Sequence, residues 1–245
     1  MSPGKKVSPN GARKALSGLP DNQRTLAGRA FGQLHSAILS GSLAPGERLP
    51  IEDIAAQLSM SPMPIREALR ELDKLGLVEQ IPHRGARVTE LSIGDLREIY
   101  DGRLALEPLA ARRAAEKFDD DDVARAKAAI KALDRAQKDK DDEEIWRAHT
   151  DFHFAIYDAA RSEWLIRLIQ PLWESSERYR RAAPARRKVS ERRGEHERIL
   201  RACIDGDSDR AAGEMYAHLA RTANLVAKEM DGDADIFPIG MPSPG

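Results

Sequence analysis

The stretch from Ile51 to Val88, IEDIAAQLSMSPMPIREALRELDKLGLVEQIPHRGARV, leaves this chain little choice of fold. Ile51, Ile54, Ala55 and Leu58 recur at helical spacing and make one apolar stripe. Ser59-Met60-Ser61 interrupts it, and a second helix begins. Ser61 is a good N-cap, because its hydroxyl can accept from an unpaired first-turn N–H, and Pro62 and Pro64 fall where a missing N–H costs little. Ile65, Ala68, Leu69 and Leu72 form the buried face, and Met63, Arg66 and Arg70 lie opposite. Gly76 stops the helix. Leu77–Ile81 and Ala86–Thr89 then read as short strands around the turn Pro82-His83-Arg84-Gly85.

Two short helices with a tight turn and a basic hairpin behind them are a winged helix-turn-helix, whose second helix suits a DNA major groove. Pattern alone also allows two helices that merely pack. The residues themselves go further. ILSGSLAPGERL followed by IAAQLSMSPMPIREALRELDKLGLVEQIPHRGARV resembles the DNA-binding domain of the GntR family of bacterial transcription regulators, from Leu26 to about Leu91. The resemblance implies DNA contacts from Arg48 of the PGxRL turn, from Ser61, Met63, Arg66 and Arg70 on the second helix, and from His83, Arg84 and Gly85 in the wing. Pro62 stands where many relatives carry a base-reading arginine, and Glu52 where some carry an arginine; both departures bear on the operator sequence rather than on DNA binding itself.

The rest of the chain has a different texture. At 245 residues there is length for one large domain or two ordinary ones. Net charge is −1 overall but +3 over residues 1–92 and −4 over the remainder, so the basic bias sits on the DNA-binding half. Cys203 is the only cysteine, which excludes an intrachain disulfide and a thiolate zinc cluster. No apolar run approaches the ~18 residues of a membrane span, and the first residues lack the apolar core of a secretory signal. The expectation is a cytoplasmic protein, held to the nucleoid by its DNA.

Residues 1–24 read as a disordered tail. Residues 25–92 make the DNA-binding domain, opening with a helix over 25–40. From 93 to 230 the chain reads almost wholly as helices, near 93–117, 120–138, 142–160, 163–182, 189–205 and 208–230. Residues 231–245 are read as a flexible tail. The fold class is mainly α: an N-terminal winged helix-turn-helix plus a C-terminal all-α antiparallel bundle.

Four of the six histidines lie in the bundle: His149, His153, His196 and His218. His149 and His153 are one turn apart beside the apolar stripe of Ile145, Ala148, Phe152, Ala155, Ile156 and Ala159, so both can meet one ion. His196 precedes Ile199, Leu200 and Cys203, and His218 sits beside Met215, Leu219 and Thr222, so these two also point inward. A lone inward histidine is commonly just a hydrogen-bonded core residue; four together with an i, i+4 pair favour a metal site, and imidazole suits Zn²⁺, with Ni²⁺ or a similar ion as alternatives.

Residues 93–230 resemble the FCD ligand-binding domain of the FadR-like branch of the same family, on YDGRLALEPLAARRAA, HTDFHFAIYDAA, EHERILRACIDGD and HL at 218–219. The resemblance implies a metal held at positions 149, 153, 196 and 218, with His149 where Asp or Asn is usual. It further implies a small carboxylic acid as effector and a homodimer on a near-palindromic operator. Arg103, in the RxxLE pattern, is the first candidate to clamp the acid, and Trp173, Arg178 and Tyr179 could line the same cavity. The plain alternative for Arg103 is a helix-surface ion pair with Glu107. The resulting expectation is a non-enzymatic regulator, a repressor by preference. Two others stay open: a metal sensor with four histidines closing the shell, and a metal-dependent hydrolase carrying a DNA-binding domain.

Overall fold

The computed structural model describes residues 25–82, 85–183, 189–231 and 235–241. The chain divides into two compact units between Glu90 and Leu91.

In the first unit, α1 (Leu26–Leu39) starts at Thr25, whose side chain accepts from the Gly28 N–H at 3.0 Å, and it buries Ala30, Leu34 and Ile38. Next come β1 (Arg48–Leu49), α2 (Ile51–Leu58) and α3 (Pro62–Lys74). Ser59 turns the chain between α2 and α3 in the left-handed region, at φ 52°. The buried face of α3 is Ile65, Ala68, Leu69 and Leu72. Ser61 occupies the N-cap with extended backbone, but its side chain makes no capping hydrogen bond, contrary to the expectation above. An N-cap oxygen is met by the N–H of the second or third helical residue; the third here is Pro64, which has none, so only that of Met63 is left to offer.

Gly76, at φ 69°, closes α3. β2 (Val78–Ile81) and β3 (Gly85–Val88) then pair antiparallel, Val78 against Val88 and Ile81 against Gly85. β1 joins on the far side of β3, with Arg48 opposite Arg87, which makes a three-stranded sheet in the order β1-β3-β2. This third strand was not foreseen, since two residues cannot display an alternation. Gly85 is required where it stands: its φ is +94°, and a Cβ would collide with the carbonyl oxygen of Leu49.

The second unit is the helical bundle: α4 (Ile93–Ala115), α5 (Asp120–Asp139), α6 (Asp142–Ala159), α7 (Glu163–Ala182), α8 (Val189–Ile204) and α9 (Ser208–Asp231). Polar caps start them. The Ser92 side chain accepts from the Asp95 N–H, Asp119 and Asp122 form a reciprocal capping box, and Asp141 accepts from the Glu144 N–H. The core is rich in alanine where α4 meets α9, with Ala110, Ala111, Ala114, Ala220, Ala223 and Ala227 all inaccessible or nearly so.

The tail is not loose throughout. Phe237 is only 7% exposed and packs on the bundle core with Ile236. The Asn224 side chain donates to the Phe237 carbonyl at 2.8 Å and accepts from its N–H at 2.9 Å. One buried aromatic contributes about 1.5–3 kcal/mol, enough to order a short segment. No described helix is long and apolar enough to cross a membrane.

Candidate DNA-contacting face and candidate metal centre

In the first unit α3 turns its apolar face inward and leaves Met63, Arg66 and Arg70 exposed, Met63 at 60%. Arg66, Arg70 and Gly85 line one cleft of about 360 Å³ between α3 and the wing, together with Glu52 and Gln80. Gln80 holds the wing to α3 by donating to the Leu69 carbonyl at 3.1 Å, and Thr89 donates to that of Gly76 at 2.8 Å. Arg48 is exposed on β1, and Ser61 is exposed at the start of α3. His83 and Arg84, the other two wing candidates, lie outside the described residues.

The second unit gathers its functional side chains inside. His149 and His153 come from α6, His196 from α8 and His218 from α9, and all four are buried. Each offers one ring nitrogen, and those nitrogens lie within 4.8 Å of one another. Burial holds the His149 and His153 imidazoles well below their ordinary pKa, aided by Arg180 beside the first and by His149 beside the second. Neutral imidazole is the form that binds metal.

Counting hydrogens assigns the ring protons. The Tyr157 hydroxyl donates to the Glu107 carboxylate, so its oxygen must accept from His153 Nδ1, 3.0 Å away. The bare Nε2 of His153 is then left buried with no hydrogen-bond partner among the described residues. His218 Nδ1 lies 2.8 Å from Glu195 Oε2, an acceptor only, so this ring too carries a proton on Nδ1. Arg221 holds the other Glu195 oxygen at 3.0 Å. Imidazoles anchored in this way, His218 by a carboxylate and His153 by a tyrosine hydroxyl that is itself held by one, are the outer arrangement that metal-binding histidines characteristically have, and the cluster fits a divalent cation. Burial and the neighbouring Glu107 push the Tyr157 pKa up, which keeps its hydroxyl protonated.

Sequence reasoning missed Tyr157, although it stands one turn after His153 on the same helix, and Glu195, which meets His218 only when α8 and α9 pack. The arginine it put first is already paired. Arg103 is inaccessible, its Nε and Nη2 bonded to Glu107 at 2.5 and 3.1 Å and its Nη1 to Ser176 at 2.8 Å. It is therefore neither an open clamp nor a surface pair: α7 covers it. Tyr179 also faces elsewhere, bonding Asp95 and accepting from the Ser92 N–H at the start of α4. Arg178 is buried on that side, and burial lowers its pKa. Trp173 does sit against the cluster, 4.8 Å from the His153 ring and 5.5 Å from that of His149.

Arg180 is the arginine that lies against the cluster. Its guanidinium lies 4.7 Å from the Trp173 ring and 5.4 Å from that of Trp146, with Nη1 3.3 Å from His149 Nδ1. It is 8% exposed, yet Nε and Nη2 have no partner among the described residues. A cavity of about 240 Å³ opens there, lined by Trp146, His149, Arg180, Arg192, His218 and Thr222 among others. The helical period carried this signal, since Arg180 follows Trp173 by seven residues and shares its face.

Residues 98–221 match the FCD domain, and residues 26–88 match the bacterial regulatory proteins of the gntR family. The HTH-type transcriptional regulator BphR of Paraburkholderia xenovorans (strain LB400) is 31% identical over 84% of this chain and 86% of its own. The HTH-type transcriptional repressor GlaR of Escherichia coli (strain K12) is 26% identical over 82% of this chain and 95% of its own. The solved structure of E. coli McbR/YncC superimposes with a TM-score of 0.73 at 24% identity, covering 84% of this chain and 99% of that one; it shows the same fold. These are transcription regulators, so the hydrolase alternative finds no support. Glu195 accepts from the His218 ring and Glu107 from Tyr157 and Arg103, so both carboxylates are engaged as hydrogen-bond acceptors.

Proposed function

The chain belongs to the GntR family of bacterial regulatory proteins, as a DNA-binding transcriptional regulator with an FCD effector domain, and we propose that its effector is a small carboxylic acid held in the bundle by a divalent metal and an arginine. The observation that carries this reading is the juxtaposition of a buried histidine cluster with a buried guanidinium whose Nε–Nη2 edge has no partner among the described residues. That edge matches a carboxylate. Arg103 gives the same two nitrogens to Glu107 in this very bundle. All-nitrogen coordination favours zinc, with nickel as an alternative, over a hard cation.

In this reading Arg66, Arg70 and Met63 meet base edges, Arg48, Ser61, His83, Arg84 and Gly85 meet the sugar–phosphate backbone, and two copies of the chain address a near-palindromic operator. The Ser61 hydroxyl, which caps nothing, suits a phosphate. Exposed Trp164 and Leu168, one turn apart on α7, suit a second copy. Effector binding releases the DNA, the behaviour of a repressor such as GlaR. A metal sensor is the second reading, favoured by the number of nitrogens within 4.8 Å, which suffices to close a tetrahedral shell.

Operator affinity separates the two. The untagged protein is titrated onto a duplex selected from a random pool, with zinc alone, with a panel of small carboxylic acids alone, and with both. Release only by an acid in the presence of zinc supports the proposal, and release by zinc alone supports the sensor. Indifference to every combination removes both.

A further inference from the structure

We infer that the metal is held by His153, His196 and His218 alone, and that His149 is a positioning residue which aims Arg180 at the carboxylate bound in the fourth position. The inference rests on the metal-and-carboxylate reading and divides the histidine cluster into two roles.

A guanidinium only donates, and a neutral imidazole has one lone pair and one N–H. Arg180 Nη1 donates to His149 Nδ1, so the ring proton of His149 sits on Nε2. In that tautomer His149 presents no lone pair to a cation. His153 is in the opposite state, its Nδ1–H given to Tyr157 and its bare Nε2 buried, and His218 gives its Nδ1–H to Glu195. The His196 ring completes the set, 5.2 Å from His153 and 5.0 Å from His218 between centroids. Three nitrogen ligands leave a zinc ion one open position, the arrangement of a site that takes up an exogenous ligand rather than of a closed structural one.

The Nη1 bond fixes the orientation of the guanidinium plane. With Trp173 and Trp146 against it and Nη1 on His149, the Nε–Nη2 edge is the part left to bind. A carboxylate taking that edge in a fork is oriented through two parallel bonds. His149 thus exchanges the role of ligand for that of a buried acceptor, and the site loses nothing needed for the metal.

The test uses the full-length, untagged protein, zinc competition against a chromophoric chelator, and the ligand-field spectrum of bound cobalt with and without acetate, chloride serving as the ionic control. His149→Ala is expected to bind zinc almost as the wild type does and to lose the acetate-induced change in the cobalt spectrum. Arg180→Gln is expected to behave in the same way, and the double variant no worse than either single one. His153→Ala should lose more than the roughly 10–100-fold in zinc affinity that an outer-shell change costs. Should His149→Ala fail to fold, His149→Leu, which fills the space, carries the same test. A loss of zinc affinity in the position-149 variants equal to that in His153→Ala makes His149 a ligand and overturns the inference, leaving the proposed function intact. Acetate leaving the wild-type cobalt spectrum unchanged overturns it as well. If the wild type and His153→Ala alike bind no metal, the inference and the reading beneath it fall together.

Discussion

The two units use polar side chains in opposite ways. In the winged helix-turn-helix the core is apolar throughout and the functional groups stand outside, Arg66 and Arg70 on the far face of α3 from Leu69 and Leu72. In the bundle every functional group is inside. Among the described residues all the buried polar or charged side chains belong to this second unit, including Arg103, Glu107, Arg180, Glu195 and the histidines of the cluster. An exposed reading surface costs the fold almost nothing to change. A buried polar site has to be satisfied group by group, and its residues are at once functional and structural.

That contrast can be broken most forcefully at Glu107. Glu107→Ala strands the inaccessible Arg103 guanidinium and frees the Tyr157 hydroxyl, and it should lower unfolding stability by about 3–5 kcal/mol in urea titration. A loss below about 1 kcal/mol would mean that the bundle interior tolerates an unpaired charge as the surface does. Arg66→Ala is the counterpart. Operator discrimination should weaken by about 1–3 kcal/mol in competition binding, while stability stays within about 0.5 kcal/mol. Unchanged preference over random DNA would take Arg66 out of the reading set.

The smallest effect sharpens the comparison at two helix starts. Ser92→Ala removes an oxygen that accepts from the Asp95 N–H and should cost about 1 kcal/mol. Ser61→Ala removes one that caps nothing, so stability should change by less than about 0.5 kcal/mol. Operator affinity should nevertheless fall in Ser61→Ala if its hydroxyl meets a phosphate, and equal stability losses in the two variants would contradict the capping difference.

The same contrast explains what could be read in the sequence. An exposed reading face is laid out by helical period, so Met63, Arg66 and Arg70 could be picked out from the positions of Ile65, Leu69 and Leu72. The inward histidines were legible for the same reason. Tyr157 was within reach too, one turn after His153, but Glu107 behind it and Glu195 beside His218 meet them only after the bundle closes. The pairing of Arg103 with Glu107 was visible in the sequence, whereas its burial under Ser176 of α7 was not. Arg180 was within reach: counting seven residues on from Trp173 finds it. The order at Phe237 depends on Asn224 in α9, and a tail rich in Gly, Pro and Asp gives no local sign of it.

The measurement that tests the central claim most directly is the metal content of the protein purified without a histidine tag or chelator, beside that of His153→Ala. The account predicts about one equivalent of zinc or nickel per chain in the wild type and its loss in the variant, with both proteins folded. No metal in the wild type after incubation with excess ion, or equal metal in the two, would contradict it, and the buried histidines would then be core residues.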